Sequence, residues 1–134
     1  MPIQYPSGIM TEHMATRQNA GIFDVSHMGR LYFYGEDALP FLQHVLTNNA
    51  AALDVGESQY TIIQNENGGA LDDAYLYRFK TDEYLLVVNA ANRDQDWQHL
   101  QAQLTKYRIF SEASQPRWKN TMNSVIPTDH ATGI

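Results

Sequence analysis

The sequence predicts an α+β fold, an antiparallel meander sheet with two to three helices packed mainly on one face, and three observations carry that prediction. β-rich runs at 59–64, 70–79 and 83–89 follow one another with turn residues between them, which suits a meander better than alternating strand–helix units. Two apolar-periodic stretches, opening near Asp37 and Asn92, flank that meander as helices. Finally, 134 residues with 43% hydrophobic and 18% charged side chains close one core and are too few for two ordinary domains.

In chain order, residues 9–19 read as a helix because Ile9, Met10, His13, Met14 and Arg17 recur at helical spacing before Gly21. The run 29–35 (GRLYFYG) is bracketed by glycines and reads as a strand. Asp37 is the expected N-cap of the next helix, with Pro40 in its first turn and Leu39, Leu42, Val45 and Leu46 on its apolar face. The strand at 59–64 should turn through Asn67-Gly68, a pair suited to a type I′ hairpin, into the strand at 70–79. A second turn at 80–82 leads to the strand at 83–89. The last helix, capped by Asn92 with Asp94 and Asp96 favourable at its positive end, should run to about Thr105 and turn Trp97, Leu100 and Leu104 to the sheet. Residues 107–110 read as an edge strand, and from Ser111 the composition becomes that of a tail anchored by Trp118, Val125 and Ile126.

Composition narrows the function. Nine Lys and Arg against fifteen Asp and Glu, a formal charge of −6, argue against a nucleic-acid partner, which needs clustered cations. No apolar run is long enough to cross a membrane. The absence of Cys removes thiolate, disulfide and iron–sulfur chemistry, and with no secretory leader the expected location is cytoplasmic. The five His show no ligand pair at helical spacing, so no metal site is expected, and Gly68-Gly69 belongs to a hairpin rather than to a phosphate loop.

Asp72-Asp73 is the unusual local feature, because adjacent carboxylates disfavour a strand. Alternation puts Leu71, Asp73, Tyr75 and Tyr77 on one face and Ala70, Asp72, Ala74 and Leu76 on the other. A carboxylate in line with two phenols suits a flat, nitrogen-rich ligand, the rings giving contact area and the carboxylate accepting N–H bonds. The competing reading is a solvated strand start beside the hairpin. Asn89, at the end of an apolar strand, can offer donor and acceptor to a heterocycle edge, while Asn92 reads as a helix cap. Asp24, Ser26 and His27 are close in sequence, but in an extended segment they should point apart rather than form a catalytic triad.

Three segments in order, GIFDVSHMG at 21–29, NENGGALDD at 65–73 and LVVNAAN at 86–92, with GEDALPFLQHVLTN between the first two, resemble the tetrahydrofolate-dependent aminomethyltransferase, or T-protein, of the glycine cleavage system. The resemblance covers about Pro2 to Leu104 and implies part of that family's folate-binding domain, a fold partly ferredoxin-like. It implies transfer of a one-carbon unit from an aminomethyl-lipoyl carrier protein to tetrahydrofolate. It also implies that Asp73 is the catalytic carboxylate and that Met28, Tyr60, Tyr75, Tyr77, Val87 and Asn89 line the folate. A family member continues through further sheet and a C-terminal barrel, so the expected organisation is a truncated folate-binding domain at 1–110 and a divergent tail at 111–134. The alternative is a truncated non-catalytic module that self-associates as a homo-oligomer, or binds a partner protein, through the surface such a truncation leaves.

Overall fold

The computed structural model describes residues 6–114 and 126–127, with side chains described to Tyr107. The elements are α1 (Ile9–Gln18), β1 (Gly29–Tyr34), α2 (Ala38–Val45), β2 (Ser58–Gln64), β3 (Ala70–Lys80), β4 (Glu83–Val88), α3 (Arg93–Ser114) and β5 (Ile126–Pro127). The strands form one antiparallel sheet in the order β2-β3-β4-β1-β5, so the fold is α+β and the expected meander, β2-β3-β4, makes up one side of the sheet.

Period-two alternation divides the sheet into two unlike faces. One face turns Leu31, Phe33, Ile63, Ala74, Leu76, Tyr84, Leu86 and Val88 inward, all 4% exposed or less. Helices α2 and α3 close this face with Phe41, Leu42, Val45 and Leu100, and the Phe41 ring lies tilted against Phe33 at 6.1 Å and edge-on to Tyr107 at 5.8 Å. No helix among the described residues covers the other face. Helix α1 forms over almost the expected span but buries none of its residues, so its apolar spacing serves no packing among the described residues.

Three local expectations are corrected. The strand at 107–110 is instead part of α3, which continues to Ser114, because Tyr107 extends the Trp97, Leu100, Leu104 stripe by one helical step and packs on Phe41. The hairpin between β2 and β3 is not a two-residue type I′ turn. Asn65 N–H donates to Gly69 O at 2.9 Å and Gly68 N–H to Asn65 O at 3.0 Å, leaving a three-residue loop in which Gly68 takes φ +79°. The Asn65 side chain holds that loop by accepting from the N–H groups of Asn67 and Gly69, both at 2.9 Å. At the start of α2 the Asp37 side chain makes no cap bond among the described residues, and Ala38 N–H donates to Gly35 O at 3.0 Å instead. Of the proposed tail anchors, Ile126 pairs through its backbone with Tyr32 of β1, and Trp118 and Val125 lie outside the described residues.

Candidate functional site

The register of the sheet assembles the candidate site. Tyr60 of β2 stands opposite Tyr75 of β3, Tyr75 opposite Val87 of β4, and Val87 opposite Arg30 of β1, a row running straight across four strands. The neighbouring row holds Ile62 opposite Asp73, and the same register carried one residue past β4 brings Asn89 and Met28 beside it. On the other side of the first row lie Tyr77, Leu85 and Tyr32. Residues from four separate segments thereby share the uncovered face. Tyr75 and Tyr77 lie 5.4 Å apart, and Phe79 continues the strip, 6.5 Å from Tyr77 and 6.4 Å from Tyr32. These four rings and Tyr60 are 36–53% exposed, so the five form an open platform rather than a core.

Asp73 is exposed on this platform, and one amide fixes it: Asn89 Nδ2 donates to Asp73 Oδ1 at 2.8 Å. The Tyr60 phenol sits beside it, its pKa raised by burial and then by the charge of Asp73 and a hydrogen bond to it. Asp72 points the other way and is 6% exposed. It accepts from Asn89 N–H at 3.0 Å, Asn89 Nδ2 at 2.9 Å and Asn92 Nδ2 at 2.8 Å. Burial by itself would raise the Asp72 carboxyl, but these donors outweigh it and hold its pKa below the ordinary value. Asn89 is thus a bridge whose one amide nitrogen serves both carboxylates, and Asn92 spends its amide on Asp72.

Behind this bridge Asp96, in the first turn of α3, is fully buried. Neither of its oxygens receives an N–H or O–H from the described residues. Asp96 N–H donates to Asn92 O at 2.9 Å and the Asn92 side chain donates to Asp72 at 2.8 Å, so Asn92 joins the Asp96 turn to the Asp72 carboxylate. A carboxylate buried without a donor favours its neutral form, and the Asp96 pKa is pushed up to about 7 by burial and then by Asp72.

The other sequence candidates do not converge here. Ser26 does turn onto Asp24, correcting the expectation that they point apart, and donates to Asp24 Oδ1 through both its N–H and its hydroxyl. That is a local turn in which the serine proton already faces a carboxylate, and these bonds lower the Asp24 pKa. Among the described residues no group of three or more His, Asp or Glu is placed to hold a metal, and no helix is long and apolar enough to cross a membrane. Two concavities lie away from Asp73, one of about 310 Å³ between His44, Glu66 and His99 and one of about 590 Å³ beside α1. We give them less weight than the platform, which gathers the carboxylate and the rings. Sequence reasoning missed Arg30 and Asp96. Alternation along β1 could have placed Arg30 with Tyr32 and Tyr34 on the outer face, but nothing local distinguished Asp96 from an ordinary acidic residue at a helix start.

An α+β domain with helices on one sheet face, and on the other a held carboxylate among exposed rings, has the build of a ligand-facing domain that supplies one wall of a site. The chain belongs to the family described as "GCVT N-terminal domain", whose model matches residues 1–122. It is 48% identical over 118 residues to an aminomethyltransferase of Deinococcus deserti, covering 88% of this chain and 33% of that protein. An aminomethyltransferase of Thermus thermophilus is 50% identical over 117 residues, covering 87% and 33%. The crystal structure of glycine cleavage system aminomethyltransferase T from Bartonella henselae matches with a TM-score of 0.73 at 41% identity, covering 77% of this chain and 28% of that one. These findings bear out the T-protein resemblance, and the chain spans about a third of the length of the relatives it matches.

Proposed function

We propose that this chain supplies the folate-facing wall of an aminomethyltransferase, with Asp73 as its catalytic carboxylate and Met28, Tyr60, Tyr75, Tyr77, Val87 and Asn89 as the ligand-contacting surface. The observation that carries this reading is the convergence of these residues, from four segments, onto one open sheet face around a carboxylate that accepts from the Asn89 amide and stands beside the Tyr60 phenol. The donor set fits a reduced pterin. Exposed phenol and phenyl rings offer flat contact to a bicyclic heterocycle, and an ionised carboxylate offers acceptors to its N–H groups. When bound, tetrahydrofolate supplies the nitrogen that accepts the one-carbon unit. Asp73 orients that nitrogen and takes up its N–H hydrogen bond, while the platform keeps the ring system flat on the sheet. In the same reading the donor is an aminomethyl-lipoyl carrier protein and the setting is cytoplasmic, and the folate-facing unit proposed at 1–110 runs on through the end of α3 at Ser114, with β5 of the remaining segment joined to its sheet.

Titration calorimetry with 5-formyltetrahydrofolate tests the reading on the 134-residue chain. We expect saturable heat from the wild type and none from Asp73→Asn, which keeps the shape and removes the charge. Absence of heat from the wild type at millimolar ligand overturns folate binding by this chain.

A second reading, a non-catalytic module that self-associates, draws on a different observation. Tyr32, Tyr60, Tyr75 and Phe79 are exposed on one face of the sheet, and Ile9, Met10 and Ile22 are exposed in and after α1.

A further inference from the structure

We propose that Asp96 is a positioning residue for the site: it keeps one proton on a buried carboxyl pair with Asp72, so that Asp72 remains a singly charged anchor for the Asn89 amide that holds Asp73. The inference deepens the folate-facing reading of Asp73 and rests on it for its functional consequence.

The geometry runs in one direction. Asp96 is fully buried with no donor to its oxygens, its N–H donates to Asn92 O at 2.9 Å, and the Asn92 amide donates to Asp72 at 2.8 Å, which sets the two carboxyls on either side of Asn92. Asp72 is the charged group that acts on Asp96. Asp72 gathers three bonds from Asn89 and Asn92, and the Asn89 nitrogen that serves Asp72 Oδ1 at 2.9 Å also serves Asp73 Oδ1 at 2.8 Å. Any change at Asp96 therefore reaches the open face through two side chains. While Asp96 is neutral, the cluster carries one charge matched by amide donors. Once Asp96 ionises, two carboxylates share the burial, Asp72 must move or draw in solvent, and the amide shared with Asp73 moves with it.

Among the described residues, the influences on the Asp96 carboxyl are burial and Asp72, with no cation among them. On β3 the pair meets Asp72 itself, with Asp73 on the opposite face. The β4–α3 connection presents the neutral amides of Asn89 and Asn92, and β2 presents the Tyr60 phenol near Asp72. On α3 the Arg93 guanidinium, one turn before Asp96, donates to Asp94 Oδ1 at 3.0 Å. Asp96 titrates in the neutral range, so the device switches between about pH 6 and about pH 8.

Carboxyl carbon and side-chain amide resonances of the ligand-free chain, followed by NMR from about pH 5 to about pH 8.5, test this directly. The expected result is one step near neutral pH on Asp96, felt by Asp72 and mirrored by the Asn89 amide and the Asp73 carboxyl. In Asp96→Asn, which cannot ionise, the step disappears and the Asn89 and Asp73 signals stay at their low-pH positions. Titration of Asp96 in the ordinary carboxylate range, or a neutral step that leaves Asn89 and Asp73 unmoved, overturns the proposal. If Asp96→Asn does not fold, the wild-type titration decides alone. Affinity for 5-formyltetrahydrofolate gives the functional arm. We expect roughly tenfold weaker binding at about pH 8 than at about pH 6 in the wild type and equal affinities in Asp96→Asn. The same pH dependence in both proteins overturns the coupling to ligand. No binding at either pH overturns the folate reading and leaves the resonances to decide the positioning role.

Discussion

At Asp73 and Asp72 two carboxylates adjacent in sequence meet opposite conditions, one exposed beside the Asn89 amide and the Tyr60 phenol, the other buried and held by three N–H donors. The consequence for stability lies with their buried neighbour Asp96. Its pKa rises on folding from 3.8 to about 7, so between these values the native state binds the proton more tightly than the unfolded chain does. Its contribution is full below about pH 4 and is lost progressively as pH rises toward about 7. Asp72 has the opposite sign: its pKa is depressed, so its contribution is present above the unfolded value and lost as pH falls through the folded one. Urea denaturation of wild type and Asp96→Asn at about pH 5 and about pH 8 should show the wild type losing roughly 2–4 kcal/mol more than the variant across that interval. Parallel losses in the two proteins would exclude Asp96 as their source.

Helix α3 joins the core to the site. Leu100, 1% exposed, fixes it to the sheet, while its first turn delivers Asp96 to Asp72. Leu100→Ala should cost roughly 2–5 kcal/mol, as a cavity beneath the sheet does, and is read from the urea midpoint. Because the helix start depends on that packing, the Asn89 amide resonances should broaden in the same variant. The close approach at this junction also explains Gly29 of β1. A Cβ there would come within 2.7 Å of Arg93 Cγ and of Val88 Cγ2, so only glycine lets the strand pass the helix start undisturbed.

For the whole molecule the unequal faces of the sheet matter most. One face is sealed by α2 and α3, and the other presents a carboxylate and five exposed rings with no covering element among the described residues. Ligand and self-association would compete for that platform. If the chain self-associates through it, light scattering should show the average mass rising with protein concentration and falling again when 5-formyltetrahydrofolate is added. A constant monomer mass removes the self-association reading. A dimer indifferent to ligand places its contact elsewhere, with α1 and its exposed Ile9, Met10 and Met14 the next surface to substitute.

Much of this was legible in the sequence. Alternation through 70–79 separated Asp72 from Asp73 and aligned Asp73 with Tyr75 and Tyr77, because side chains on a strand alternate whatever the strand pairs with. Helical periodicity likewise identified Leu100 and Leu104, and the resemblance supplied Tyr60, Val87 and Met28. It misjudged residues 107–110, where β-forming side chains yielded to packing on Phe41, and the turn at Asn67-Gly68, where the Asn65 side chain chose a longer loop. Strand register decided the rest. Only pairing across four strands brings Tyr60, Tyr75, Val87 and Arg30 into one row, and only the docking of α3 places Asp96 against Asp72. Periodicity is a property of neighbouring residues, whereas the protonation of Asp96 and the hold on Asp73 depend on groups far apart in the chain that meet only when the sheet and its helix close.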